Sequence, residues 1–129
     1  MRIKQVILVR KDLNMRRGKE IAQGSHAAMD FLIEPLRLLL LQNKATTIEL
    51  TDMEKHWIVH GMAKVCLRVN SEEELVAHHE KARAAGLKSY MIRDSGRTEF
   101  HGQPTLTACA IGPDLTERID AITGDLVLY

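Results

Sequence analysis

Aromatic side chains are scarce: the 129 residues include one tryptophan, two tyrosines and two phenylalanines, so the core must be mainly aliphatic. Long apolar runs are missing as well. A membrane-spanning helix needs roughly 18 or more apolar residues in succession, and the richest run here, Leu36 to Leu41, is broken by Arg37. No signal-peptide-like apolar stretch accompanies Arg2 and Lys4, so residence in the cytoplasm is expected. Cysteine is limited to Cys66 and Cys109, which excludes a disulfide framework. Each sits in an apolar run that reads as a buried strand, and both are expected in the core. Charge is balanced, with 18 basic against 17 acidic side chains, so bulk charge does not announce a nucleic-acid partner. Repeats, low-complexity segments and linkers are absent, and the length suits one domain covering 1–129.

What is present is an alternation of elements. Val6-Ile7-Leu8-Val9, within Ile3 to Arg10, is a short apolar run rich in β-branched residues, as in a central strand covered on both faces. A helix is expected from about Gly18, with Ile21, Ala22, Ala28, Met29 and Leu32 at helical spacing. Pro35 should kink or end it, leaving Leu36 to Gln42 as a second short segment. Thr51-Asp-Met-Glu54 predicts a capping box opening a helix over Asp52 to Val59, with Gly61 as its stop. Ala63 to Val69 reads as a strand, and Ser71-Glu-Glu-Glu74 as a second capping box for a helix ending at Gly86. Further strands are expected over Leu87 to Ile92 and Thr105 to Ile111, and a last helix over Leu115 to Ile122. This order implies an α/β layer structure with helices on a sheet that is at least partly parallel.

Chemistry concentrates in two segments. Lys19, Gln23 and His26 stand within two turns of the first helix at spacings of four and three, on adjoining parts of one face. A Gly-Lys pair at a helix start suits a phosphate or carboxylate, although the pattern is not a nucleotide-binding P-loop. The second segment, Ile92-Arg-Asp-Ser-Gly-Arg-Thr98, leaves a strand and offers Asp94, Arg97 and Thr98 on one loop. A base, an anion clamp and a hydroxyl are what acyl or phosphoryl chemistry requires. Each feature has a plainer reading, as a solvated charge, a packing residue or an ordinary turn. Between Met1 and Lys19 the basic residues Arg2, Lys4, Arg10, Lys11, Arg16, Arg17 and Lys19 meet only one acid, Asp12. That local excess suits RNA phosphates or a solvated edge. His56 and His60 at i, i+4 lack an evident third ligand, and no metal site is assigned.

Taken in order, Gly18-Lys19-x-x-Ala22-Gln23-x-x-His26-Ala27, Asp94-x-Gly96-Arg97-Thr98, Ala110-Ile111-Gly112-Pro113 and Ile122-Thr-Gly-Asp-Leu126 resemble the signature of the second, archaeal and eukaryotic, family of peptidyl-tRNA hydrolases. Gln5 to Leu13, and Trp57 with Gly61, are also similar to that family's pattern. Only about Pro35 to Thr51, Met62, Glu99 and Phe100-His-Gly-Gln-Pro104 depart from it. The resemblance implies a single compact α/β domain with a mixed four-stranded β-sheet flanked by α-helices, usually a homodimer. It implies hydrolysis of the ester joining a peptide to tRNA, with no required cofactor and no membrane. It assigns catalytic roles to Lys19, Asp94 and Thr98, and to a later threonine placed at Thr107. Asp94 is expected to orient or deprotonate water and Lys19 to stabilise negative charge. Gln23, His26 and Arg97 are expected near the substrate, and Arg10, Lys11, Arg16 and Arg17 on tRNA phosphates. No serine or cysteine is paired with an evident base, which favours direct attack by water. The competing readings are a non-catalytic RNA-binding or adaptor module on the same scaffold and a metal-dependent hydrolase built on His56 and His60.

Overall fold

The computed structural model describes residues 1–129. Four strands form one sheet: β1 (Ile3–Arg10), β2 (Lys64–Val69), β3 (Ser89–Asp94) and β4 (Thr105–Leu115), in the order β2-β1-β4-β3. β2 pairs parallel to β1, while β4 runs antiparallel to both β1 and β3. The sheet is therefore mixed, and β1 is central. Its alternation divides the core. Val6 and Leu8 join Leu67, Val69, Cys109 and Ile111 on one face, under α3 (Glu72–Ala84) and α4 (Thr116–Thr123). Ile7 and Val9 join Ala108 and Ala110 on the other face, under α1 (Arg17–Leu41). A third cluster packs Ile3 and Phe31 on Trp57 of α2 (Asp52–Val59), with the two rings edge to face at 5.7 Å.

The Thr51 capping box forms in full: the Thr51 hydroxyl accepts from the Glu54 N–H, and the Glu54 carboxylate accepts from the Thr51 N–H. At Ser71 only half of the box forms. The Ser71 hydroxyl accepts from the Glu74 N–H, but the Glu74 carboxylate bonds the N–H of Asn70.

Three expectations are corrected. Pro35 does not end α1, which continues as one helix of 25 residues to Leu41. Proline deletes one N–H of the ladder, and the packing of Phe31 and Leu32 beside Trp57 anchors the turn before it. Cys66 is exposed, whereas Cys109 is buried. β2 lies at a sheet edge and alternates, turning Leu67 and Val69 to the core and Lys64, Cys66 and Arg68 outward. β4 runs past Ile111 to Leu115 because Gly112 adopts a φ of +92° where a Cβ would stand 2.9 Å from the Lys4 carbonyl. Only glycine lets the two strands approach so closely there.

The two sheet edges are treated differently. Along the outer side of β2 the Arg68 N–H bonds the Val127 carbonyl and the Tyr129 N–H bonds the Cys66 carbonyl, so the last residues seal that edge. β3 has β4 as its only strand neighbour.

Candidate active site

β3 ends at Asp94, and α1 begins two residues before Lys19, so strand end and helix start meet across 75 positions of sequence. The Lys19 ammonium donates to Asp94 Oδ1 at 2.7 Å and to Thr98 Oγ1 at 2.9 Å. Both members of the ion pair are largely shielded from water, with side chains 15% and 11% exposed. One turn further along α1, the buried Gln23 amide reaches Asp94 Oδ1 at 3.4 Å through Nε2 and accepts a hydrogen bond from the Thr107 hydroxyl through Oε1. Asp94 Oδ2 accepts the Gly96 N–H at 2.8 Å. The Lys19 bond holds the Asp94 carboxyl below its ordinary value of 3.8. Partial burial opposes the shift, and the Gly96 N–H together with the charges of Lys19 and His26 reinforces it. Asp94 is therefore a carboxylate at neutral pH.

Local backbone features make this convergence possible. The pairing of β3 with β4 slips between Ile92 and Arg93, which oppose Ala108 and Leu106, so Thr107 has no partner on β3. A bulge of this kind re-aims a side chain, and Thr107 is fully buried with its hydroxyl on Gln23. Gly96 has a φ of +85°, and a Cβ there would fall 2.3 Å from the Gln103 carbonyl oxygen. Its own carbonyl accepts from Gly102, folding the loop after β3 back on itself. These two features, and the contribution of the Gln103 backbone, were missed in the sequence. The only signal for them was the Asp-Ser-Gly turn.

The structure thus brings together Lys19, Gln23, Asp94, Thr98 and Thr107. His26 is exposed one turn beyond Gln23 and influences Asp94 by charge. Arg97 is exposed on the same loop as Asp94 and Thr98. Of the basic cluster, Lys11, Arg16 and Arg17 are exposed. Lys11 stands over the Tyr129 ring at 4.6 Å, and Arg16 pairs with Glu99 at 2.8 Å. Arg10 is less accessible: its guanidinium is 11% exposed and bonds the Asp12 carboxylate and the Leu106 carbonyl, so it braces the loop after β1. His56 and His60 face each other with ring centroids 4.2 Å apart, and no third metal-ligating side chain joins them.

A cleft of about 440 Å³ opens beside the network, lined by Arg16, Gly18, Lys19, Ala22, Thr98 and Glu99. A second groove of about 360 Å³ between α1 and β2 is walled by Ile7, Val9, Ile21 and Tyr129 and holds no part of the network. Of these two, only the first borders the network, and charge, hydroxyl and solvent access coincide there.

A carboxylate fixed by an ammonium, with a hydroxyl on the same ammonium, is an arrangement that suits a hydrolytic enzyme. The comparisons agree. The family profile "Peptidyl-tRNA hydrolase PTH2" matches residues 3–129. Proteins described as peptidyl-tRNA hydrolase are similar over nearly their whole length: 41% identical in Methanocaldococcus jannaschii, covering 98% of this chain and 99% of that protein. The corresponding figures are 42%, 98% and 99% for Nanoarchaeum equitans, and 39%, 97% and 97% for Methanopyrus kandleri. The chain belongs to the PTH2 family of peptidyl-tRNA hydrolases.

Proposed function

We propose that this chain hydrolyses the ester between a peptide, or an N-blocked aminoacyl group, and the 3′ end of tRNA, by direct attack of water. The observation that carries this reading is the single Lys19 ammonium shared between Asp94 and Thr98. An ammonium has three donors. Two are occupied, and the third is free for the oxyanion that develops on the ester carbonyl. A carboxylate has about four acceptor positions, and Asp94 uses three, on Lys19, Gln23 and Gly96. The remaining one suits a water molecule, which Asp94 orients and from which it draws the proton as attack proceeds. Its lowered pKa makes it a weak base, so most of the rate enhancement must come from the charge and position of Lys19.

Thr98 presents its hydroxyl beside the cleft and assists in aligning the water or the leaving ribose oxygen. Thr107, out of reach of any substrate, is a positioning residue: it fixes the Gln23 amide so that the NH₂ end faces Asp94. Lys11, Arg16, Arg17 and Arg97 are placed to meet tRNA phosphates, with His26 beside the reacting groups. The chain works in the cytoplasm as a homodimer. Leu38, Leu40 and Leu41 at the end of α1, exposed by half or more, support association.

The test is release of N-acetyl-aminoacyl groups from tRNA by the purified chain. Turnover that survives in Asp94→Asn and in Lys19→Ala at near the wild-type rate would overturn the site. Binding of tRNA with no turnover in the unaltered chain would favour the non-catalytic module.

A further inference from the structure

We infer that the open edge of β3 is the binding track for the peptide part of the substrate, which lies along it as a fifth, parallel strand with its ester at Asp94. This inference rests on the hydrolase reading above and assigns the half of the substrate that the basic cluster leaves unexplained. Three observations carry it.

The first is the contrast between edges. Unpaired strand edges invite pairing and are usually protected. Here the β2 edge is sealed by Val127 and Tyr129, while β3 has no strand on its outer side. The Lys88 carbonyl accepts from the Gly112 N–H across β4. Alternation of antiparallel pairing then turns the backbone groups of Tyr90 and Ile92 toward β4 and those of Ser89 and Met91 outward. The Ser89 carbonyl accepts from the Arg83 guanidinium instead of a strand, as this alternation requires. Met91 keeps an outward N–H and carbonyl for a ligand.

The second observation is continuity with the site. β3 runs toward and stops at Asp94, and a groove of about 270 Å³ follows it, with Met91 and Arg93 on one side and His26, Asp30, Glu34 and Arg37 of α1 on the other. His26 belongs both to this groove and to the surroundings of Asp94. A peptide is esterified through its C-terminus, so a strand whose C-terminal end reaches Asp94 must run in the same direction as β3. From Met91 to Asp94 the free part of the strand is four residues, about 13 Å, enough for about three or four residues of ligand.

The third is charge. The groove wall is mixed in sign, Asp30 and Glu34 against Arg37 and Arg93 with Arg37 paired to Glu34, so it offers no continuous basic track to a polyanion. The RNA therefore belongs on the Lys11, Arg16 and Arg17 side of the cleft and the peptide on the β3 side. Backbone pairing also suits an enzyme that must accept peptides of any sequence, because main-chain bonds give affinity without reading side chains.

The test uses the full-length chain and tRNA esters carrying N-acetylated peptides of one to eight residues. The expected result is a kcat/KM that rises with length, by about threefold to tenfold for each backbone hydrogen bond gained, and levels off near three or four residues. Replacing alanine by serine or leucine within the peptide should change it little. N-methylation of alternate peptide amides should remove the gain, whereas methylation of the intervening ones should leave it. Met91→Pro, which removes an outward N–H, should flatten the length profile. Should that variant not fold, the N-methyl series on the unaltered chain gives the same information. Hydrolysis with a flat length profile, or one insensitive to N-methylation, would overturn the track while leaving the hydrolase intact. Absence of hydrolysis on every substrate would overturn the function itself.

Discussion

The two halves of α1 are one continuous helix with opposite characters. From Arg17 to Phe31 the helix presents Lys19 and Gln23 to the network and buries Gln23, Ala27 and Phe31. From Leu32 to Leu41 it buries nothing fully, and Leu38, Leu40 and Leu41 stand in solvent. Sequence hydrophobicity would rank them the other way, since the second half is the richer in leucine. A helix face therefore becomes functional by where its neighbours put charge and hydroxyl, and leucine content marks neither core nor site.

The sharpest way to break this comparison is to alter its polar half. Lys19→Ala and Asp94→Asn should each lower kcat for peptidyl-tRNA hydrolysis at least ~100-fold while far-ultraviolet circular dichroism stays that of the folded chain. The pH response follows from the direction of the Asp94 shift. Because its folded pKa lies below the unfolded one, the stability it contributes is complete above the unfolded value and is lost as pH falls through the folded value. A rate profile from neutral down to about pH 5 should thus show no acid limb due to Asp94. In Lys19→Ala, which loses the largest cause of the shift, the residual activity should acquire a limb at higher pH than in the unaltered chain.

Thr107→Val should act more mildly, lowering kcat by about tenfold with KM held, because it frees the Gln23 amide without touching substrate. Thr107→Ser should restore most of the rate, and equal loss in both variants would mean that Thr107 only fills space. Next in size, Arg16→Gln with Arg17→Gln should weaken tRNA binding and reduce the salt slope by about one log unit for each phosphate no longer neutralised. The smallest effect on catalysis should come from the apolar half of α1. Leu40→Lys with Leu41→Lys should change kcat by less than about twofold; light scattering should report two chains for the unaltered protein, as proposed, and one for this variant, and a single chain for both would overturn the dimer. A dimer that persists places the interface on another face.

How much of this was legible in the sequence depended on range. Local signals read well: the Thr51 capping box and the extent of α2 follow from four consecutive residues, and β1 follows from its apolar run. Half of the Ser71 box failed because Asn70, one position earlier, offered Glu74 a competing N–H. Cys66 was misplaced because the run Val65-Cys66-Leu67 does not reveal which side of an edge strand lacks a covering helix. Lys19, Asp94 and Thr98 were legible as types of residue in a family pattern. Their meeting was not, since it needs β3, β4 and α1 placed together. Arg10 shows the opposite limit of range, since its pairing with Asp12 is local but its bond to the Leu106 carbonyl needs β4 in place.

The order of the strands also bears on when the molecule becomes active. β3 has no sheet neighbour except β4, and the Thr107 hydroxyl that fixes Gln23 lies on β4 itself. While the chain is being synthesised, Lys19 and Asp94 both leave the ribosome before the strand that aligns them. The nascent protein is at that stage esterified to a tRNA of its own. Until β4 has paired with β1 and β3, the Gln23 amide lacks the Thr107 hydroxyl and β3 lacks its sheet neighbour, so the network of the folded chain is not yet assembled.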